Sequence, residues 1–245
     1  MEKIYHLEQK VHSFQVDFRK QMRPSSMARI FQEAATIHAE KLGVGYSELN
    51  REGVFWVLSK VEMHFIEPLL WDDIYKLETW PVESNGLLFR RDFRFKKEGR
   101  IVCEGSSGWL VIDQKRKRPM RASSLSIEFP TLPIEDASTY FKEKVSLKEE
   151  CKMAPLTVGY SDIDMNQHAN NTKYIDWMLQ YIPKDTLQQK EIKEILIEYT
   201  NEAGWNDILD ISMDHQDKNG EDHISFQAVH QKNEKVCFKG RCILG

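Results

Sequence analysis

The chain has 245 residues, a formal net charge of −4, 41% hydrophobic residues and 29% charged residues. This composition is typical of a globular protein, and a charge so close to balance favours neither nucleic acid nor a membrane surface as the partner. No apolar run reaches the length of a membrane span. The four cysteines form no C-x-x-C pair, which favours free thiols in a reducing compartment over a disulfide framework.

The first half is predicted to form a strand, a long helix and four more strands. Alternating apolar residues predict the first strand over His12 to Arg19, and helical spacing after Pro24 predicts a helix that ends at Gly43. The four further strands are predicted at 53–66, 74–80, 87–96 and 100–113, with hairpin turns at Asn85-Gly86 and Glu98-Gly99.

Residues 122–153 contain two prolines and no sustained period, which predicts a crossover linker with a short helix at 135–142. The second half then repeats the order of the first. Its predicted elements are a strand at 157–168, a helix at 170–181 and strands at 192–201, 207–214, 223–231 and 235–244, with hairpins at Asn219-Gly220 and Asn233-Glu234. An internal offset of roughly 145 residues predicts a duplicated domain. We therefore expect an α+β protein with domains at 1–121 and 154–245.

The richest segment chemically is YSDIDMNQHANNTKYIDWML, residues 160–179. If its first part is extended, the side chains of Asp162, Asp164, Asn166 and His168 share one face. Asn170 or Asn171 can then cap the following helix, whose first N–H groups favour developing negative charge. A carboxylate, an amide and an imidazole would thus meet near a helix N-terminus.

Three other interpretations compete with a hydrolytic site. The segment could be a polar turn held by Asx hydrogen bonds. It could be a calcium loop, although Gln167 stands where that loop needs glycine and Lys173 where it needs glutamate. It could also be a transition-metal site with His168 as ligand, although no second histidine or C-x-x-C accompanies it.

The run DIDMNQHANNTKYIDWML closely resembles the signature of the acyl-ACP thioesterases, the plant and bacterial acyl-[acyl-carrier-protein] hydrolases. A second landmark of that family is similar to IEYTNEA at 197–203, and FWVLSKVEMHF, LETWP and RRDFRF also resemble its first half. The resemblance implies a double hotdog fold and hydrolysis of fatty acyl-ACP to free fatty acid in fatty acid biosynthesis, with no cofactor and no metal. Plant members carry a transit peptide. None is visible at the start of this sequence, nor is a secretory signal, so we expect a bacterial, cytoplasmic form.

The resemblance also suggests the catalytic residues. Some accounts of the plant family place a cysteine directly after the acidic residue of the second landmark, but here that position is Ala203 and none of the four cysteines lies near either landmark. Glu202 would then act as general base or attack directly, with Glu198 as the alternative on the same strand face. Asn166 would hold Glu202 or the carbonyl, and His168 would polarise the carbonyl or shuttle the proton to the leaving thiol. Asp164 would orient Asn166 or His168. Backbone donors near Asn170 and Asn171 would stabilise the oxyanion.

Substrate contacts follow from the same resemblance, which implies that the N-terminal domain holds the acyl tail. The candidate wall residues are Phe31, Phe55, Val57, Met63, Phe65, Phe89 and Trp109. Basic residues that could dock an acidic carrier protein are Arg90, Arg91, Lys115, Arg116, Lys117 and Arg118. Singly, each could instead be a solvated edge charge. An acyl-CoA thioesterase and a non-catalytic acyl-binding module remain alternatives, and the sequence leaves open whether the chain forms a homodimer.

Overall fold

The computed structural model describes residues 3–82, 86–132 and 140–245. The chain forms two compact units, which we call the first unit (Met1–Ser59 and Ile66–Tyr140) and the second unit (Lys60–Phe65 and Phe141–Gly245). These bounds differ from the predicted domains, because the first unit includes much of the predicted linker. Leu125, Ile127 and Phe129 pack against the buried cluster that contains Phe89 and Val111, so this segment belongs to the core of the first unit.

The first unit is a curved antiparallel sheet with one long helix. Its helices are α1 (Pro24–Lys41) and α2 (Tyr46–Arg51). Its strands are β1 (Tyr5–Lys10), β2 (Val54–Phe65, whose last six residues belong to the second unit), β3 (Ile74–Val82), β4 (Leu88–Lys97), β5 (Arg100–Asp113) and β6 (Pro119–Met120). The strand order is β1-β3-β4-β5-β2, with β6 paired to β5.

Helix α1 begins at Pro24, where the missing N–H costs nothing and the fixed φ suits a helix start. Its buried face carries Met27, Ile30, Phe31 and Ala34. The ring of Phe31 stacks on that of Phe93 in β4, with centroids 4.0 Å apart. Burying one such side chain contributes about 1.5–3 kcal/mol, so the helix is held by this apolar face.

The second unit repeats this layout. Its helices are α3 (Lys173–Leu179) and α4 (Lys184–Gln189). Its strands are β7 (Cys151–Lys152), β8 (Leu156–Thr157), β9 (Ile192–Tyr199), β10 (Ile208–Lys218), β11 (Glu221–His230) and β12 (Val236–Leu244). The order is β9-β12-β11-β10-β7, with β8 also paired to β10 and residues 60–64 paired to β9. Trp177 and Met178 of α3 are buried beneath this sheet.

Most predicted strands and hairpins are confirmed, and the ends of those strands lie within four residues of the predicted ends. Glu98-Gly99 and Asn219-Gly220 both have positive φ, as a tight hairpin requires, and Glu234 has φ +57° in the turn before β12. Asn85 lies outside the described residues, as do residues 135–139 of the predicted short helix; Tyr140 to Lys142 is not helical. Within the described ranges, no helix is long and apolar enough to cross a bilayer.

Two strand predictions and one helix boundary are wrong. Residues 12–22 form a loop with a 3-10 turn at Ser13–Gln15, and residues 159–169 form a loop with a 3-10 turn at Tyr160–Asp162. Neither is a strand, so the predicted alternation of side chains over Asp162 to His168 does not occur. The following helix begins at Lys173 and not at Asn170 or Asn171.

These two loops, named loop A (residues 12–22) and loop B (residues 159–169), have the same backbone pattern. Asp17 N–H donates to the Gln21 carbonyl at 2.8 Å in loop A, and Asp164 N–H donates to the His168 carbonyl at 2.9 Å in loop B. The turn residues before them are both left-handed, with φ +61° at Lys20 and +66° at Gln167. The predicted internal duplication therefore extends to the hydrogen bonds of individual loops.

Gly240 of β12 is required for the packing of α3. A Cβ at this position would lie 2.0 Å from Sδ of Met178, which is buried. We expect Gly240→Ala to destabilise the protein by about 1–3 kcal/mol, because close packing leaves Met178 no room to move. The measurement is the free energy of unfolding in urea. Gly159→Ala is the control, since its Cβ would meet only Asp162 Oδ2 at 3.8 Å; equal stability of the two variants would contradict the prediction.

Candidate active site

Loop B is joined to the segment that follows β9. Ala169 N–H donates to the Ala203 carbonyl at 2.8 Å, and His168 forms a backbone bridge with Gly204. This pairing brings two side chains from distant parts of the sequence together. Nε2 of His168 lies 3.2 Å from Oε2 of Glu202, so a base and an imidazole meet as expected.

Both members of the pair are accessible to solvent. The His168 side chain is 45% exposed and the Glu202 side chain 61% exposed. Glu202 therefore does not lie in a dry cleft in this structure. The exposure leaves the pair open to a substrate and to water.

Asp164 shapes loop B. One of its carboxylate oxygens, Oδ1, accepts the Asn166 N–H at 2.8 Å, and its own N–H donates to the His168 carbonyl. It thus orients the backbone that carries His168. Asn166 itself is exposed, and within the described residues its side chain makes no hydrogen bond. Its expected role toward Glu202 or the carbonyl stays a prediction.

Asp207 and His230 lie behind the Glu202 segment. Asp207 Oδ2 accepts the Gly204 N–H at 2.8 Å, and Asp207 Oδ1 pairs with Lys232. Burial opposes ionisation of Asp207, but the hydrogen bonds from Lys232 and Gly204 hold its pKa below the ordinary value. His230 is 2% exposed, and its Nδ1 lies 3.6 Å from Asp207 Oδ2. Burial lowers the pKa of His230, which favours a neutral, positioning ring.

Cys237 lies closer to this segment than the sequence indicates. Its Sγ is 3.2 Å from the Asn201 carbonyl and 4.0 Å from Tyr174 Oη, which also accepts the Ala203 N–H at 3.3 Å. The expectation that no cysteine lies near the second landmark is therefore wrong in space. Burial raises the pKa of the Cys237 thiol to about 12. Because the thiolate is the nucleophile, this cysteine acts as packing.

Asn170 and Asn171 lie between loop B and α3. Oδ1 of Asn170 accepts both the N–H and the hydroxyl of Thr172, at 3.0 and 2.7 Å. The Asn171 carbonyl accepts the Tyr199 hydroxyl at 2.8 Å, whereas the Asn171 N–H makes no hydrogen bond within the described part of the chain. These contacts fix a turn in which a backbone donor remains available.

Glu198 is separated from the pair. Its Oε1 accepts Lys60 Nζ at 3.0 Å within the second unit, and it lies in β9 whereas Glu202 lies beyond the end of that strand. The ambiguity between the two carboxylates is thereby removed in favour of Glu202 as the partner of His168.

A cavity of about 210 Å³ lies in the first unit, between the end of α1 and the sheet. Trp56, Phe89, Trp109 and Phe129 line it with their rings. Trp56 meets Phe89 edge to face with centroids 5.0 Å apart, and Phe89 meets Phe129 at 4.7 Å. Both indole N–H groups have partners, the Val44 carbonyl for Trp56 and Ser107 Oγ for Trp109. The aromatic part of the wall is therefore apolar.

Glu62, His64 and Glu194 place three potential metal ligands within 4.8 Å of one another. Their charges are already engaged within the protein. Glu62 pairs with His64 at 2.9 Å and accepts the Phe141 N–H, while Glu194 pairs with Arg241 at 2.6 Å. We assign this cluster a structural role.

Two family models match the chain. The acyl-ACP thioesterase N-terminal domain matches residues 2–125, and the acyl-ACP thioesterase C-terminal domain matches residues 145–241. This chain belongs to the acyl-ACP thioesterase family. The α+β double hotdog fold predicted from the sequence is confirmed with it.

Similar proteins include plant and bacterial acyl-ACP thioesterases. Oleoyl-acyl carrier protein thioesterase 2 of Arabidopsis thaliana, a chloroplastic enzyme, is 26% identical over 82% of this chain and 60% of its own length. An acyl-ACP thioesterase structure from Bacteroides thetaiotaomicron has a TM-score of 0.85 and 25% identity, over 99% of this chain and 98% of the other. The 12:0-ACP thioesterase of Umbellularia californica, at 17% identity, shares the fold with a TM-score of 0.77 over 100% and 98% of the two chains. The chain spans about 60% of the length of the curated relatives matched first.

Two of the residues expected to hold the acyl chain line the cavity, Phe89 and Trp109. Phe31 instead packs on Phe93 and Phe95 in the core. Phe55 and Val57 face away from the cavity, because neighbouring residues on a strand point to opposite faces and Trp56 points into it. Met63 and Phe65 belong to the second unit. Trp56 and Phe129 are wall residues that the sequence did not identify.

The residues expected to dock the carrier protein fall into an exposed group and a group with little exposure. Lys115, Arg116, Lys117 and Arg118 are exposed on the turn after β5, where Asp113 Oδ1 accepts the N–H groups of Lys115 and Arg116. Arg91 is 7% exposed and is wrong as a docking residue, because a buried side chain cannot contact a protein partner. The Arg90 side chain is 12% exposed and pairs with Asp92 through two nitrogens. We therefore exclude Arg90 as well from the residues that could dock the carrier protein.

Proposed function

We propose that this chain hydrolyses the thioester of fatty acyl-ACP and releases a free fatty acid, as the names of its relatives imply for them. The observation that carries the proposal is the 3.2 Å contact between His168 and Glu202 on two paired segments of a chain in this family. A carboxylate beside an imidazole supplies the acid and the base that thioester hydrolysis requires.

The reaction proposed for this pair has two steps. Glu202 takes a proton from water while the water oxygen bonds to the thioester carbon, or Glu202 itself bonds to that carbon and water later releases the acid. The resulting oxyanion accepts hydrogen bonds, for which the unpaired Asn171 N–H is a candidate donor. When the C–S bond breaks, His168 gives a proton to the departing thiolate and recovers one from the attacking water, either through Glu202 or directly. Asn166 and Asp164 position the substrate and the loop.

We place the acyl chain in the aromatic cavity of the first unit, where Phe89 and Trp109 contribute to the wall. A concave apolar site of this kind is the usual form of a small-ligand pocket. The basic turn, Lys115 to Arg118, is proposed to attract the carrier protein, because its four exposed cations would meet an acidic surface. A cytoplasmic location and a homodimer stay predictions; the plant relatives matched are chloroplastic.

The test compares the same acyl group on two carriers, an acyl carrier protein and CoA, with thiol release as the readout. We expect a higher kcat/KM on acyl-ACP. Reversing Lys115, Arg116 and Lys117 to glutamate should raise KM for acyl-ACP at low salt by about tenfold, since each exposed charge contributes up to ~1 kcal/mol and steering is screened by salt.

The control reverses three exposed lysines of the second unit, Lys144, Lys148 and Lys152, which gives the same change in net charge. An equal effect of both triple variants would argue against a specific docking turn. A higher kcat/KM on acyl-CoA would assign the chain to acyl-CoA hydrolysis. Absence of turnover on both thioesters would favour a non-catalytic acyl-binding module and refute the proposed activity.

A further inference from the structure

One charged residue lies in the apolar face of β4. The side chains of Phe89, Arg91, Phe93 and Phe95 share that face, and all four residues are buried. The opposite face carries Arg90, Asp92 and Arg94, whose charges are paired with one another or with Glu104. An arginine at an apolar position of a strand is costly unless its charge is compensated.

The described residues do not compensate the charge of Arg91. Its Nη1 donates to His38 Nδ1 at 2.9 Å and lies 3.4 Å from Thr79 Oγ1. Both partners are neutral when they accept. Nε and Nη2 have no hydrogen-bond partner in the described ranges, and no carboxylate there pairs with this guanidinium. Burial lowers the pKa of Arg91 to about 10, so the side chain is still charged at neutral pH.

Arg91 also lines the aromatic cavity of the first unit. Two other charged groups line it. Arg90 is neutralised by Asp92, and Glu40 is exposed at the rim, where its Oε1 accepts the Tyr46 N–H at 2.8 Å. Arg91 is therefore the charge that remains uncompensated along the described cavity wall. Its free Nε and Nη2 lie on the same side of the guanidinium, which is the side that binds a carboxylate with two parallel hydrogen bonds.

We propose that this cavity binds an aliphatic carboxylate, with the carboxylate on Nε and Nη2 of Arg91 and the chain among Trp56, Phe89, Trp109 and Phe129. An anion is the ligand that compensates the buried charge, and aromatic walls bury its methylene groups. Binding of such an acid does not depend on thioester hydrolysis, so it can succeed or fail separately from the proposed function.

Two sources could supply this chemistry. One is a free monocarboxylic acid, the class of molecule that thioester hydrolysis releases. The other is an acyl thioester whose far end carries a second carboxylate, so that Arg91 would select the end of the chain. Both present an aliphatic carboxylate to the same guanidinium, and binding measurements with separate probes distinguish them.

The experiment is calorimetric titration of the full chain with octanoate, with octanol, which has the same chain without the charge, and with octylamine. We expect octanoate to bind roughly tenfold to hundredfold more tightly than octanol, because hydrogen bonds to a charged group are the strong ones. Octylamine should bind more weakly than octanol. Equal affinity for octanoate and octanol, or no binding of octanoate, would overturn the proposal.

Arg91→Met tests the residue itself. The variant should lose the preference for octanoate and bind both ligands alike, and it should fold, because replacing an uncompensated buried charge by an apolar side chain is commonly neutral or stabilising. Arg94→Met is the matched control: it removes a cation from the other face of the same strand, where Arg94 donates to Glu104 at 2.8 Å. Retention of the preference in Arg91→Met, or its loss in Arg94→Met, would place the binding elsewhere.

The source is decided with the Glu202→Gln variant, in which slow turnover permits binding of intact thioesters to be measured. Two pantetheine thioesters are compared, one with a plain acyl chain and one with a carboxylate at the far end of that chain. Tighter binding of the carboxylated thioester, abolished by Arg91→Met, assigns the site to the acyl end. Equal binding of the two thioesters together with tight octanoate binding assigns it to the free acid.

Discussion

Replacing Glu202 by glutamine should lower kcat for acyl-ACP hydrolysis about 10²–10⁴-fold, the usual contribution of a general base. Glutamine keeps the size and a hydrogen-bonding oxygen near His168 but cannot accept a proton from water or attack the thioester carbon. Thiol release from a long-chain acyl-ACP measures the effect, with kcat and KM separated. KM should change little, because the carboxylate acts on the reacting atoms.

Glu198→Gln is the control for this substitution. Glu198 is four residues earlier and pairs with Lys60 at 3.0 Å, so its loss should leave kcat near the wild-type value. Wild-type kcat in Glu202→Gln would remove Glu202 from the mechanism. Glu202→Gln should unfold at the wild-type denaturant concentration, since Glu202 is largely exposed.

Replacing His168 by glutamine should lower kcat by a similar ~10²–10⁴-fold through loss of the proton donor. The fold should tolerate the change, because loop A carries Gln21 at the equivalent position with the same backbone hydrogen bonds. A steady-state assay on acyl-ACP provides the measurement. The double variant His168→Gln with Glu202→Gln should be little slower than either single variant, because residues that act as one unit are not additive.

A leaving thiol of low pKa separates the two roles of His168. If the imidazole protonates the thiolate, a thiophenyl ester of the same acid should recover much of the lost rate in His168→Gln but not in Glu202→Gln. Equal impairment of both variants on this ester would indicate that His168 polarises the carbonyl. Full activity of His168→Gln on acyl-ACP would show that the 3.2 Å contact has no chemical role.

The sequence was most informative where local patterns decide the structure. Alternating residues and turn residues with positive φ specified β4, β5 and β11, because side-chain period and turn geometry are local properties. Loop B does not follow its local pattern, which is that of a strand. The Asp164 carboxylate accepts the Asn166 N–H, which a strand would have paired elsewhere, and such Asx bonds compete with regular secondary structure. The meeting of His168 with Glu202 nevertheless followed from the family landmarks.

Other parts of the site could not be predicted from local pattern. His230 and Asp207 support Glu202 from β11 and the loop before β10, and only the strand pairing brings them there. Predicting the cavity wall required the correct face of β2, because Trp56 points into the cavity and its neighbours Phe55 and Val57 do not. Arg91 gave a signal that could have been used, since it interrupts an alternating run of phenylalanines in FRRDFRF, residues 89–95.

The correspondence between loops A and B extends to their partner segments. The Leu69 carbonyl accepts the Met22 N–H, and the Ala203 carbonyl accepts the Ala169 N–H in the same way. Pro68 is therefore at the position equivalent to Glu202, and Gln21 is at the position equivalent to His168. Neither proline nor glutamine titrates, and the first unit therefore has no reactive pair at this position. Each polypeptide therefore carries one candidate catalytic pair, and a dimer of this chain would hold two such pairs among four equivalent loops.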